Sequence, residues 1–468
     1  MATGLLRIPL KPTQFMLRTL FILSILVPGF YLSLRSRYFA LLMYLWFALF
    51  RPQDWLWIDI TNLRLSLVLG FILIVPALPA GLFPNITNPL SVGMLSFLFC
   101  SLVTQSVAVA PAIGWTWIDF MTRLLLSCMM IMTLAKTPQR LAGVVAVIGG
   151  SLAFHASKAG LAFMLGGGRF ADGLAGAFID NNGYALGTVM VMPLVVAAAQ
   201  NVDLIYDGRW RKWIQRGAFL AVPFCMLAVI GTYSRGGFVA LAAISLCFVL
   251  LQRRPAFAVS GLVAAVVVVL LLVPIPQAYL DRLQTIQTYK ETGEESALGR
   301  THFWAVALRM VEANPIGIGL RQYEQAYDRY DFSRGHYGSH RAVHSSHMQV
   351  LSELGYPGAL VWLGMFAYAA FACLRVRRRS RDPGLDERTS RFLWTTANGL
   401  LISMFGFLVG GSFLSLALNE ITWLTFGMVG ALEIVCGRVI ADAHAEPVHE
   451  VPLAFRAVYA LPAMRLRT

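Results

Sequence analysis

Four groups of residues in this chain have the types and spacing to do chemistry. Tyr233-Ser234-Arg235-Gly236-Gly237 joins two apolar runs and puts Arg235 at their turn. Its plain role is to anchor a helix end by snorkelling. An arginine at membrane depth nevertheless costs ~2.5–3.5 kcal/mol and usually has a functional partner. The two glycines also let a neighbour or ligand come close to the backbone. The second group is Leu298-Gly299-Arg300-Thr301-His302-Phe303-Trp304, followed by Asn314-Pro315-Ile316-Gly317-Ile318-Gly319. Arg300 is expected to open a helix, where a cation opposes the helix dipole, so ligand contact competes with simple solvation. Gly317 and Gly319 are only weakly like a phosphate cradle. Arg321 and Tyr323 beside that turn, and Arg341, are further candidates for ligand contact.

The third group is His336, His340, His344 and His347, half of the eight histidines. Spacings of four, four and three raise a zinc site. Gly335, Gly338, Ser339, Ser345 and Ser346 argue against one continuous helix, and no carboxylate completes an HExxH pattern. The expectation is therefore no metal, and one histidine acting as a general base just before Met348–Leu354. The fourth group is Asp180-Asn181-Asn182-Gly183, a turn ahead of a helix. Helix capping accounts for these residue types, and ligand contact by Asn181 and Asn182 is the alternative.

The elements that must hold these groups follow from composition. Of 468 residues, 57% are hydrophobic and 13% charged, with mean hydropathy +0.65. Soluble domains run nearer ~25% charged, so an all-α polytopic membrane protein is implied. Apolar runs long enough for spans recur at 63–78, 89–109, 120–135, 141–165, 184–199, 217–232, 236–252, 256–275, 356–374, 392–413 and 420–436. The stretch 19–50 is one crossing or two, which gives about twelve transmembrane helices. The excess of 38 Lys and Arg over 24 Asp and Glu sits in short loops at 206–216, 253–254 and 375–391. Such loops mark the cytoplasmic face rather than a nucleic-acid surface. An even count then places both termini in the cytoplasm, with 438–468 as a cytoplasmic tail. The organisation expected is a first helical bundle over 1–275, a long periplasmic loop over 276–355 with short amphipathic helices, and a second helical part over 356–437. Phe303, Ala307, Met310 and Val311 fall near one side of such a helix. The six cysteines lie in or beside apolar runs without CxxC spacing, so core packing is their expected role.

The ordered set of strings resembles the O-antigen ligase/polymerase superfamily of bacterial membrane glycosyltransferases. It comprises Asn181-Asn182, Thr232–Gly236, Gly299–Trp304, Asn314–Gly319 and His344–Gly355, within a stretch from about residue 140 to 437. Phe50-Arg51-Pro52-Gln53-Asp54-Trp55 and Phe413-Leu414-Ser415 look like the O-glycosylation ligase subgroup associated with exosortase systems. The resemblance implies transfer of a glycan from undecaprenyl diphosphate to an acceptor hydroxyl at the periplasmic face of the inner membrane. For ligases the acceptor is lipid A-core. The family's paired arginines map onto Arg235 and Arg300, and its histidine onto His344. Usual members carry Asn after that histidine where this chain has Ser345, which leaves His347 as the alternative base. No cofactor is expected, and the partners implied are the lipid-linked donor, lipid A-core and membrane lipid. An O-antigen polymerase or a protein O-oligosaccharyltransferase would share this donor. A transporter of lipid-linked glycan would instead place ionisable residues near the bilayer midplane.

Overall fold

The computed structural model describes residues 12–56, 63–166, 180–252 and 295–445, with Ile60, Ala256, Val259, Ser260 and Val263 besides. The span expected at 256–275, the loop start at 276–294 and the tail beyond 445 thus fall essentially outside the described residues. The architecture is all-helical, and helix starts follow local chemistry. Asn88 accepts from Leu90 N ahead of Pro89, and Pro111 and Pro138 each open a helix where a missing N–H costs nothing. In order, α1 is Pro12–Arg35, α2 Arg37–Phe50, α3 Leu65–Ile74, α4 Pro89–Thr104, α5 Pro111–Leu134, α6 Pro138–Gly166 and α7 Asn181–Gln200. A single turn, α8 (Val202–Ile205), precedes α9 (Arg211–Gly231) and α10 (Arg235–Leu251). After the undescribed stretch come α11 (Glu295–Ala313), α12 (Tyr323–Tyr330), α13 (Ser346–Arg379), α14 (Glu387–Gly410) and α15 (Glu420–His444).

Nine helices among the described residues are long and apolar enough to cross a membrane, and α2, α3 and α10 are shorter apolar helices. The ambiguous run at 19–50 is two helices broken at Ser36. Helix α7 is the central one, packed by α6, α9, α10 and α14. Small residues let these helices approach: a Cβ on Gly160 of α6 would lie 1.8 Å from the Phe224 carbonyl oxygen of α9. A second packing centre joins α4, α13, α14 and α15 through Phe97, Trp362, Phe366, Phe407, Trp423 and Phe426.

Helix direction sorts the loops onto two ends. The turns after α7 and α13 carry the basic residues of 206–216 and 375–391, while Asn181, the Arg235 turn and the α11–α12 layer lie at the other end. Tyr38 at the start of α2 donates to the Arg140 carbonyl near the basic end of α6. At the far end of α2, the Phe50 carbonyl meets His155 Nε2. Helix α1 runs antiparallel to α2, so the described chain begins at the Arg235 end and finishes, at His444, on the basic end. This departs from the expectation of both termini on one side. Charge counting cannot see the α1–α2 hairpin, whose direction is set by packing such as Met43 against Gly29.

A layer beyond the apolar helices is built from α11, α12, the turn-rich segment 331–345 and the first two turns of α13. The predicted stripe of α11 is real: Phe303, Ala307, Met310 and Val311 are all buried. Helix α11 is already formed at Glu295, so Arg300 lies inside it and does not open it. The Gly317–Gly319 loop locks onto a kink in α13. Ile318 N and Gly319 N donate to the Glu353 carbonyl at 3.1 and 2.9 Å, and Tyr356 N donates to the Pro315 carbonyl at 2.9 Å. The buried Glu353 carboxylate accepts from Arg321 N at 2.8 Å. These N–H groups are engaged within the protein, so the glycine loop closes a fold joint instead of cradling phosphate. Gly355 at the kink has φ 65° and ψ −167°, a region open in practice only to glycine, and a Cβ there would sit 2.2 Å from the Pro315 oxygen. Gly355→Ala is expected to cost about 2–4 kcal/mol. Thermal unfolding in detergent should show a lowered midpoint, and an unchanged midpoint would refute the joint.

Candidate active site

His344 stands immediately before α13 with φ 52°, in the left-handed region that non-glycine residues occupy only when their surroundings hold them. Two neighbours do so. Its N–H donates to Ser415 Oγ at 2.9 Å. The next residue, Ser345, caps α13 by accepting from Met348 N. Ser346 Oγ then donates to the Leu414 carbonyl at 2.6 Å and accepts from Leu416 N at 3.0 Å. The segment Phe413–Leu416 is therefore a strap across the base of the His344 loop. Phe413 also packs against Gly236, one residue beyond Arg235.

The imidazole of His344 lies 5.9 Å from the Phe303 ring, centroid to centroid, and Arg341 stands over that same ring at 5.4 Å from its centroid. Burial pushes the His344 pKa below its usual 6.5. Arg300 and Arg341 push it the same way, and Asp180 opposes them. Neutral imidazole is thus the form favoured at pH 7, as a general base requires. The same interactions show that Arg300 on α11, Arg341 in the loop and Asp180 at the head of α7 all bear on one ring.

Arg235 is the first residue of α10, whose cap Ser234 accepts from Gly237 N at 3.1 Å. The preceding Tyr233 has φ 54°. The tip is fixed sideways by Asn181, whose Nδ2 donates to the Thr232 carbonyl at 2.9 Å. Asp180 caps α7 by accepting from Asn182 N and Gly183 N, each at 2.8 Å. Asn181 is thus a brace between α7 and the Arg235 turn, while the Asn182 side chain is partly exposed beside it.

The structure separates the two candidate histidines. Trp362 Nε1 donates to His347 Nδ1 at 3.2 Å, and His347 Nε2 meets the Leu408 carbonyl at 3.1 Å. Both ring nitrogens of His347 are engaged, Nδ1 within α13 and Nε2 joining α13 to α14. His340 instead lies at the surface near Asp328, and His336 stacks edge-on with Tyr337. Among the described residues, no three of His, Cys, Asp or Glu come together as metal ligands. Tyr323 is buried, with its hydroxyl donating to the Phe303 carbonyl at 2.7 Å, and burial raises its pKa. It serves the core of the α11–α12 layer. Arg321 has φ 59° and stands 4.9 Å from the Trp117 ring centroid, on the side facing the α4–α5 turn.

Sequence reasoning did not assign a role to His302, Asp331 or Glu353. His302 Nε2 meets Asp331 Oδ1 at 2.7 Å, both side chains nearly inaccessible. Burial raises the Asp331 pKa, but hydrogen bonds from Ser333, Gly335 and His302 outweigh it and hold the carboxyl well below the usual range. This pair folds the 331–345 segment back onto α11 and so places His344. A cavity of about 710 Å³ between α7, α10 and α14 lies at the opposite, basic end, lined by Gln200, Arg391 and Asn398, and has no part in this cluster.

Fold and site together define a multi-pass helical membrane protein whose cationic and imidazole groups gather in a layer at one end. Residues 218–363 match the family described as O-Antigen ligase, and residues 17–201 match a family of unknown function. The first match contains Arg235, Arg300 and His344. It supports the O-antigen ligase/polymerase superfamily and a ligase- or polymerase-type membrane glycosyltransferase. No curated protein matches the chain.

Proposed function

We propose that the chain is an O-antigen ligase that transfers a glycan from undecaprenyl diphosphate to a hydroxyl of lipid A-core, on the periplasmic side of the inner membrane. The observation that carries this reading is a neutral-favouring His344 in the field of Arg300, on the end of the bundle away from the basic loops. A polyprenyl donor keeps its diphosphate at headgroup depth, where Arg235 and Arg300 meet it. Guanidinium groups match phosphate oxygens in bidentate fashion. In the reaction His344 accepts the proton of the acceptor hydroxyl as that oxygen bonds to the anomeric carbon. The bond from that carbon to the phosphate oxygen breaks on the opposite face, and the electron pair leaves with undecaprenyl diphosphate. The anomeric configuration inverts. The arginines stabilise the growing negative charge in the position where other transferases use a divalent cation, so the mechanism is metal-independent. Arg341, which acts on the His344 ring, is the first candidate for further contact with the donor or sugar, and Arg321 and Asn182 are the next.

Reconstitution of the purified protein with undecaprenyl-diphosphate glycan and lipid A-core tests this. Glycosylated lipid A-core should form at the same rate with and without EDTA. Lengthened glycan left on the carrier would make the enzyme a polymerase, and product formed only on protein would make it an O-oligosaccharyltransferase. Loss of all product on chelation would overturn the metal-free mechanism.

A further inference from the structure

The string Phe50–Trp55 has no part in the mechanism above, and it lies in the stretch that matches a family of unknown function. Its fold is specific. Arg51 turns the chain with φ 55°, Pro52 is buried in a short 3-10 turn, and Arg51 Nε pairs with Asp54 Oδ2 at 2.8 Å. The turn delivers the Trp55 ring into a wall made by Phe50, Phe154 and His155, at centroid distances of 5.3–5.6 Å.

Two cations converge on that one indole. Lys158 Nζ of α6 is 4.8 Å from its centroid, and the Arg18 guanidinium of α1 is 5.6 Å away. They are close enough to feel each other's charge. Among the described residues neither has a carboxylate within ion-pair distance. Among the described residues, Asp54 of the same turn is held by Arg51. Two like charges on neighbouring side chains, Arg18 half-buried and Lys158 exposed, repel, and the indole offsets only ~0.5–2 kcal/mol of that per cation. A bound anion would satisfy both.

The setting says what carries the anion. Lys158 lies two turns inside the end of α6, among helices whose outward faces are apolar. Leu20, Leu23 and Val27 of α1 and Phe154 of α6 are exposed, and Phe21 stacks on Phe154 at 5.7 Å to bridge the two helices. An anion reaching the cations from the side therefore has hydrocarbon-compatible surface directly beneath it. We propose that Arg18, Trp55 and Lys158 form a site for the phosphate headgroup of an anionic membrane lipid, whose chains lie along α1 and α6. The site is at the same end of the bundle as His344 but on the α1–α2–α6 side, distinct from the α10–α11–α13 cluster.

The full-length protein in nanodiscs of phosphatidylcholine, with and without phosphatidylglycerol, gives the test. A ligand that binds only the folded state raises its unfolding midpoint. Phosphatidylglycerol should raise the wild-type midpoint by several degrees and remain bound in native mass spectrometry. The double variant Arg18→Gln/Lys158→Gln should lose that increment while matching wild type in phosphatidylcholine. Arg123→Gln, which removes an exposed cation already paired with Asp119, should keep it. An increment retained by the double variant, or absent in wild type, overturns the site. The same increment from millimolar inorganic phosphate in phosphatidylcholine discs would overturn the lipid as its ligand. Should the double variant fail to fold, Trp55→Leu decides: it leaves both cations, and undiminished retention of phosphatidylglycerol would sink the proposal.

Discussion

His344→Ala is expected to lower kcat for glycan transfer by ~10²–10⁴-fold, the range for removing a positioned general base, while the protein still folds. His347→Gln gives the opposite pattern. Its ring joins Trp362 to the Leu408 carbonyl, so the variant should unfold at lower temperature yet keep near-wild-type turnover per folded molecule. If His347→Ala stops transfer in folded protein and His344→Ala does not, the base has been misassigned. The pH profile carries a second, independent expectation. Burial, Arg300 and Arg341 depress the His344 pKa, with Asp180 opposing. The base is active when neutral, so activity holds through neutral pH and the midpoint of its acid limb lies below pH 6.5. Arg341→Gln removes one of the depressing charges and should move this acid limb upward. An acid limb at or above pH 6.5 in wild type would contradict the assignment.

Much of this arrangement was legible because membrane insertion writes its rules into composition. Spans such as 141–165 and 184–199 appear within a turn or so of α6 and α7, because twenty apolar residues have few alternatives in a bilayer. The buried stripe of α11 was legible for a similar reason, since Phe303, Ala307, Met310 and Val311 repeat at helical spacing. What could not be read were partnerships across long chain separations. Gly317 and Gly319 look like a phosphate loop until the Glu353 carbonyl, more than thirty residues on, takes the N–H groups of Ile318 and Gly319. His344 and His347 look alike in sequence, and only Trp362 and Leu408 tell them apart. Asn181 invited a ligand role and instead braces Thr232, fifty-one residues away. Arg300 looked like a helix opener, yet it lies inside α11, which is already formed at Glu295.

The paired arginines should answer to substitution differently from the histidine, and this separates donor binding from proton transfer. Arg235 starts α10 beneath the strap residue Phe413, and Arg300 acts on His344 from α11. They approach from two helices that share no backbone, which suits two oxygens of one diphosphate. A charge-assisted contact is worth ~1.5–3 kcal/mol, so each arginine-to-lysine exchange, which keeps charge but loses the bidentate fork, should lower kcat/KM by about tenfold to a hundredfold. Alanine should cost more, because it removes the charge that stabilises the leaving group as well. The two sites should differ in one respect. Arg300→Gln relieves His344 of a nearby cation, so its residual activity should show an acid limb shifted to higher pH. Arg235→Gln should move that limb less, since Arg300 is among the groups that depress the His344 pKa. A shared response of the acid limb to both substitutions would mean that the two guanidinium groups act on the imidazole alike, and the division of labour proposed for them would fail.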